Sequence, residues 1–238
     1  MNDAYATGAE REIRLCNVSK RYLEGRTPRV VFEDLNATFS PGEVSAIVGR
    51  SGTGKSTLLN LLSGIDLPDA GTVEIHGSAL TDMNDYQRTL FRRRHVGFVF
   101  QSFNLIATLT VEENLLLPLE LLNVPMVAAR RRTQDLLARV GLADRASSFP
   151  DRLSGGEQQR VAIVRALVHE PVLILADEPT GNLDRETGRG VLDWLTGLTR
   201  EAHRTLLIVT HSEEVIERAD HVLSIEDGQL VSTSRSGC

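Results

Sequence analysis

Nine consecutive residues hold the densest chemistry in the chain: Gly49, Arg50, Ser51, Gly52, Thr53, Gly54, Lys55, Ser56 and Thr57. Their spacing is Gly-x-x-x-x-Gly-Lys-Ser. The three glycines permit backbone angles that a Cβ forbids, so successive N–H groups can turn inward around an anion. Lys55 brings a full positive charge for β- and γ-phosphates, and Ser56 brings a hydroxyl for Mg²⁺. The apolar run 44–48 ahead of the loop is predicted to be a buried strand, and 57–62 after it the first turns of a helix. That helix would aim its positive N-terminal end at the same anion. The assembly is a cradle for a nucleoside triphosphate. The plain alternative, a glycine-rich turn that binds nothing, leaves the lysine, the hydroxyl and the flanking elements unexplained.

Two further clusters carry chemistry. Residues 172–176 are continuously apolar and end in Asp177 and Glu178. A strand buried on both faces cannot hold charges in its middle, so the carboxylates belong at its C-terminal end, where α/β sheets bind ligands. Asp177 suits Mg²⁺, and Glu178 can polarise a water aimed at a γ-phosphate. Alone, the pair reads as a helix cap; beside a phosphate loop it reads as catalytic. The second cluster runs Leu153, Ser154, Gly155, Gly156, Glu157, Gln158, Gln159, Arg160. Ser154 can cap a following helix, and the two glycines let N–H groups approach an anion closely.

The elements that must position these groups follow from pattern. Strands are expected over 13–18, 30–39, 72–76, 96–100, 172–176, 206–210 and 221–226, with a turn-rich stretch at 24–28. Helices are expected over 86–94, 127–140, 188–202 and 213–219, with Gly141 as a C-cap. The Leu-rich segment 111–140 reads as helical but broken at Pro118 and near Pro125. Strand and helix alternate on either side of it, which argues for a mostly parallel sheet with helices packed on it.

Composition narrows the class. Apolar content of 41% and charged content of 24% over 238 residues are ordinary for a globular protein with a sizeable core. A net charge of −6 gives no electrostatic support to nucleic-acid binding. Cys16 and Cys238 form no metal-ligand spacing. No apolar run is long enough to cross a bilayer, and the first ten residues hold no secretory signal. Arg92-Arg93-Arg94 and Arg130-Arg131-Arg132 are expected to be solvated helix faces.

The Leu-Ser-Gly-Gly-Glu-Gln-Gln-Arg sequence, taken with the phosphate loop and the Asp-Glu pair, resembles the ATP-binding subunit of ABC transporters over about residues 12–232. The resemblance implies an α/β fold: a P-loop NTPase (RecA-like) core with a mostly parallel sheet, an antiparallel β subdomain and an inserted α-helical subdomain. It implies a flexible tail over 1–10 and one ATPase domain over 11–235, with its core at 11–101 and 161–235 and the helical subdomain at about 102–160. ATP and Mg²⁺ are the expected ligands. ATP on the loop 49–57 of one subunit would be closed over by Ser154, Gly155 and Gly156 of another, in a homodimer or pseudo-symmetric ATPase dimer.

Other positions carry over singly. Tyr22 resembles the aromatic that stacks on adenine, and otherwise is a surface tyrosine near a turn. Gln101 resembles the glutamine that touches Mg²⁺ or the attacking water, and otherwise is a polar strand-to-loop residue. Asp184, in Gly181-Asn182-Leu183-Asp184, resembles the aspartate at the dimer seam, and unaided reads as a helix cap. His211, after the strand at 206–210, resembles the histidine that contacts the γ-phosphate. The expected catalytic set is thus Glu178, His211, Gln101 and Lys55, with Ser56, Gln101 and Asp177 at the metal.

Short stretches around Phe100–Ile106 and Ala176–Asp184 are most similar to a branch that includes lipoprotein-release, macrolide-export and related ATPases. Ala107 departs from a proline common there. The resemblance implies integral membrane permease partners, a peripheral place on the cytoplasmic face of the inner membrane, and no nucleic-acid partner. Residues 103–122 are either the surface for that partner or core of the helical lobe. A regulatory cassette acting on a cell-wall hydrolase through a membrane partner and a soluble, non-transport ABC ATPase are the other function classes. The short interval between Lys55 and Ser154 leaves no room for the long coiled-coil arm of some soluble relatives.

Overall fold

The computed structural model of the chain describes residues 12–25, 27–50 and 52–233. The expected tail 1–10, Ser51 and Cys238 lie outside the described residues. Two units divide the chain: the first takes the described parts of Met1–Arg92 and Leu207–Cys238, the second Arg93–Leu206.

In the first unit, β1 (Ile13–Glu24) and β2 (Thr27–Phe39) form an antiparallel hairpin that closes at Glu24↔Thr27. β1 runs well past the expected end at residue 18, because register shifts after Leu15, Val18 and Lys20 absorb its irregular pattern without ending the pairing. β4 (Ala70–Ile75) and the short β5 (Ser78–Ala79) complete a sheet of order β2-β1-β4-β5. Ile13, Leu15, Val18, Phe32, Leu35, Val73 and Ile75 fill its inner face.

β3 (Val44–Val48) is buried at four of five positions, as its unbroken apolar run requires. It pairs in parallel with β9 (His221–Glu226), which pairs antiparallel with β10 (Gln229–Ser232). Helix α1 (Lys55–Leu62) follows the glycine loop and buries Leu58, Leu59, Leu61 and Leu62. Each such side chain contributes about 1.5–3 kcal/mol on leaving water. Arg92, on α2 (Asp85–His95), was expected on a solvated face; its guanidinium instead reaches the carbonyls of Ser63 and Gly64 past the end of α1, where orphan acceptors and the negative helix end attract a cation.

The second unit holds the parallel pair β6 (Val96–Phe100) and β7 (Leu173–Asp177), in register Val96↔Leu173 through Phe100↔Asp177. Helices α3 (Val111–Leu121), α4 (Met126–Arg139), α5 (Gly155–Leu167) and α6 (Arg185–Glu201) belong to the same unit, with α5 packed against β6. α3 runs through Pro118 without breaking, against expectation. Buried Leu115, Leu116 and Leu119 hold the helix on both sides of the ring. The fully buried Asn114 side chain fastens its first turn to the carbonyls of Ile106, Leu109 and Thr110. Val111, Leu115, Leu116 and Leu119 of this segment are lobe core, with Ile106 and Leu121 left exposed.

α4 ends at Gly141 (φ 70), where the Leu142 N–H reaches the Leu137 carbonyl and the Gly141 N–H the Ala138 carbonyl, a Schellman closure. Arg132, also expected to be solvated, bonds the Val168 carbonyl and pairs with Glu170. The chain returns to the first unit along β8 (Thr205–Val209), buried throughout, and α7 (Glu213–Arg218) follows. No helix among the described residues is long and apolar enough to cross a membrane.

Candidate nucleotide site

The glycine loop is shaped by its own atoms. Gly54 precedes α1 at φ 111, and a Cβ there would lie 2.6 Å from Val31 Cγ1 and 3.1 Å from Phe32 Cζ. Only glycine satisfies both the backbone angle and the close approach to β2. Gly54 offers no side-chain cap to α1, so the helix's first N–H groups face outward with their partial positive charge. Lys55 is buried, and its ammonium donates to the carbonyls of Gly49 (2.5 Å) and Arg50 (2.9 Å), drawing the two ends of the loop together. Arg29 reaches the Gly52 carbonyl, and the Thr53 hydroxyl donates to Arg50 O at 3.0 Å. Ser56 is exposed and Thr57 half-buried on the first turn.

Tyr22 stands in the same unit. Its hydroxyl donates to Asp66 Oδ2 at 2.7 Å, and the ring is partly exposed. Partial burial first, and then the hydrogen bond to Asp66, push its phenol above the ordinary range. Partial burial would raise the Asp66 carboxyl, but bonds from Lys20, Tyr22 and the Leu67 N–H, with the Lys20 charge, outweigh it and hold the carboxyl below its usual value. His211 follows β8 and is exposed; the Thr210 N–H before it bonds the Ile47 carbonyl, which sets it beside the end of the strand that feeds the glycine loop.

In the second unit, the register Phe100↔Asp177 brings two strand ends level, so Gln101 and Glu178 are the next residue on each. Glu178 is half-buried and held at φ 45, the left-handed region that a side chain normally avoids. Such strain concentrates at functional positions and costs on the order of 1–3 kcal/mol. The Gly181 N–H bonds the Glu178 carbonyl at 3.0 Å and closes the turn behind it. Gln101 and Asn182 exchange bonds: Gln101 Nε2 donates to Asn182 Oδ1 (3.2 Å), and Asn182 Nδ2 to the Gln101 carbonyl (3.0 Å). Gln159, fully buried on α5, donates to the Pro179 carbonyl (2.6 Å) and the Phe100 carbonyl (3.3 Å). One amide therefore links the approaches to Gln101 and Glu178. Arg165 fixes the left-handed turn beyond Gln101 through the carbonyls of Phe103 and Asn104.

Ser154 caps α5 with a reciprocal box: its Oγ accepts the Glu157 N–H at 3.3 Å, and Glu157 Oε2 accepts from the Ser154 N–H and hydroxyl, each at 2.8 Å. The bond from the Ser154 N–H chiefly holds the Glu157 carboxyl below its usual value. Ser154 is exposed and Gly155 half-buried, while Gly156 packs so closely on α6 that a Cβ would fall 2.3 Å from Thr187 Cγ2. Asp184 caps α6 by accepting the Thr187 N–H at 3.0 Å.

The structure therefore gathers the expected residues in two sets. Tyr22, Gly49, Arg50, Gly52, Thr53, Gly54, Lys55, Ser56, Thr57 and His211 belong to the first unit. Gln101, Ser154, Gly155, Gly156, Asp177, Glu178 and Asp184 belong to the second. Asn182 and Gln159 lie inside two of the sequence motifs, yet no local pattern signals their bonds, nor those of Lys20, Arg29, Asp66 and Arg165. Their only advance signal was a polar type at a position that had to be buried or adjacent to a motif.

Comparison with known proteins identifies a family and solved relatives. Residues 32–181 match the ABC transporter family. An ABC transporter ATP-binding protein of Mycobacterium tuberculosis is 54% identical over 219 residues, 92% of this chain and 88% of that one. The lipoprotein-releasing system ATP-binding protein LolD of Pseudomonas syringae is 45% identical over 90% of this chain and 95% of its own. The dimeric ATP-binding cassette MJ0796, solved in a post-hydrolysis state with ADP and Pi, superimposes with a TM-score of 0.82 at 37% identity, covering 95% of this chain and all of the other.

Proposed function

The chain belongs to the ABC transporter ATP-binding family, and from that premise we propose that it hydrolyses ATP between two copies of itself to drive a membrane permease. The observation that carries this reading is Glu178, a carboxylate forced into a left-handed backbone one residue beyond Asp177 at the end of a buried strand. A strand that ends so brings an acid to the edge where α/β sheets bind ligands, which supports this reading.

Each residue then has a task. The loop N–H groups and Lys55 hold the β- and γ-phosphates, and Tyr22 stacks on adenine. Glu178 takes the proton of the attacking water while Gln101 and His211 orient it at the γ-phosphate. The donor set Ser56, Gln101 and Asp177 offers hydroxyl, amide and carboxylate oxygens, the hard ligands Mg²⁺ prefers alongside phosphate oxygens. Bound there, Mg²⁺ would neutralise charge on the phosphates.

Ser154, Gly155, Gly156 and Asp184 would close over the nucleotide of the partner copy. The helical segment 102–160 would form a lobe that meets the permease, on the cytoplasmic face of the membrane. LolD is named for lipoprotein release, and MacB of Bartonella quintana, 42% identical over 91% of this chain and 33% of its own, for macrolide export. Export or mechanical extraction of a lipoprotein, peptide or drug-like cargo is the reading these relatives support. The experiment is Glu178→Gln: ATP binding persists, steady-state hydrolysis falls by two orders of magnitude or more, about 10²-fold at least, and an ATP-bound dimer accumulates on gel filtration. Undiminished turnover would remove Glu178 from the mechanism.

A further inference from the structure

We propose that Asp66 and Lys20 are positioning residues that hold the Tyr22 ring as a base platform and fix its span from the phosphate loop; this rests on Tyr22 stacking on adenine. Lys20 is buried, 7% exposed, and its ammonium donates to Asp66 Oδ1 and to the Leu67 carbonyl, both at 2.7 Å. The other carboxylate oxygen of Asp66 takes the Tyr22 hydroxyl at 2.7 Å. The Leu67 N–H adds a third donor to Asp66, at 2.8 Å. The segment carrying Asp66 is laced to β1 twice more, by the Arg21 N–H to Asp69 Oδ2 at 2.7 Å and the Asp69 N–H to the Ser19 carbonyl at 2.8 Å.

Two consequences follow for a nucleobase. The Lys20 ammonium stands over the Tyr22 ring, 5.0 Å from its centroid, so a cation covers one face and a base has the other. Asp66 is in turn tied to α1, its N–H bonding the Asn60 carbonyl at 3.2 Å. The ring is thereby anchored to the helix whose N-terminus holds the phosphates. A platform locked at a set distance from that terminus selects for a ligand with a base at one end and a triphosphate at the other. An exposed tyrosine on a free rotamer would first lose side-chain entropy on stacking; here Asp66 has removed that loss in advance.

The test compares dissociation constants for ATP and for inorganic tripolyphosphate, which fills the loop but has no base. Tyr22→Phe keeps the ring and removes only its anchor. Asp66→Ala removes the anchor from the other side. Each is expected to weaken ATP about three- to tenfold, within the reach of one hydrogen bond to a charged group. Tripolyphosphate binding should stay within about twofold in both, and the double variant should be no weaker than either single one. Should Asp66→Ala fail to fold because Lys20 is left buried and unpaired, Tyr22→Phe still decides the matter. Wild-type ATP affinity in Tyr22→Phe, with a loss in Tyr22→Ala, would overturn the positioning role and leave stacking intact. An unchanged affinity in Tyr22→Ala would remove the stacking on which the proposal rests. Equal weakening of ATP and tripolyphosphate would show that the network serves the loop's fold instead.

Discussion

Gly54 shows how little freedom a single residue has in this loop. Its φ of 111 and the 2.6 Å approach to Val31 Cγ1 act together, so Gly54→Ala meets both strain and overlap. We expect that variant to lose about 1–3 kcal/mol of stability in urea melts and to bind ATP measurably more weakly by fluorescence titration. Wild-type values in both would mean the loop does not depend on this contact. The residue was legible beforehand because the glycine-lysine-serine spacing is itself the chemistry. Glu178 was legible for a similar reason: a charge cannot sit inside an apolar strand, so its place at the end was forced. Asp66 and Asn182 were not legible. Their partners lie 46 residues away at Lys20 and 81 away at Gln101, and nothing local signals a bond across such distances.

At the scale of elements, strands with continuous apolar runs could be placed closely from sequence. β3 and β6 begin and end where the pattern does, since a buried strand must stop where polarity starts. β1 could not, because its register shifts break the alternation that pattern reading relies on. α3 misled for the opposite reason. Pro118 is a valid local breaker, but burial of Leu115, Leu116 and Leu119 outweighs the hydrogen bond the ring removes. Pro118→Ala should therefore stabilise the protein, by about 1–3 kcal/mol if the helix there is regular. An equilibrium melt reads this directly, and a lower stability in the variant would mean that the ring's own packing matters more than the missing N–H.

For the whole molecule, folding stability and assembly each give a prediction. His169 lies half-buried with Nε2 3.1 Å from the Val96 carbonyl, and desolvation above all pushes its imidazole below the ordinary histidine range, with the charges of Arg132 and Arg204 adding to this. The folded chain therefore takes up this proton less readily than the unfolded one. Stability is whole above the ordinary histidine value and declines as pH falls from there toward the depressed folded value. Urea midpoints at about pH 7.5 and about pH 5.5 should differ, and His169→Gln should narrow the gap. An equal gap in that variant would place the pH dependence elsewhere. Assembly is tested by mixing two inactive proteins, Lys55→Ala and Ser154→Arg. A head-to-tail pair joins one intact phosphate loop to one intact serine, so the mixture should regain hydrolysis that neither shows alone. A silent mixture would count against sites shared between copies. The same serine brings a competition into that assembly. Its hydroxyl proton already rests on the Glu157 carboxylate, 2.8 Å away. In the proposed dimer, a phosphate oxygen arriving from across the seam would have to win the proton from a resident rival of like charge. Closure would then be governed by the difference between two acceptors, and so could be reversed once the arriving phosphate is cleaved and leaves.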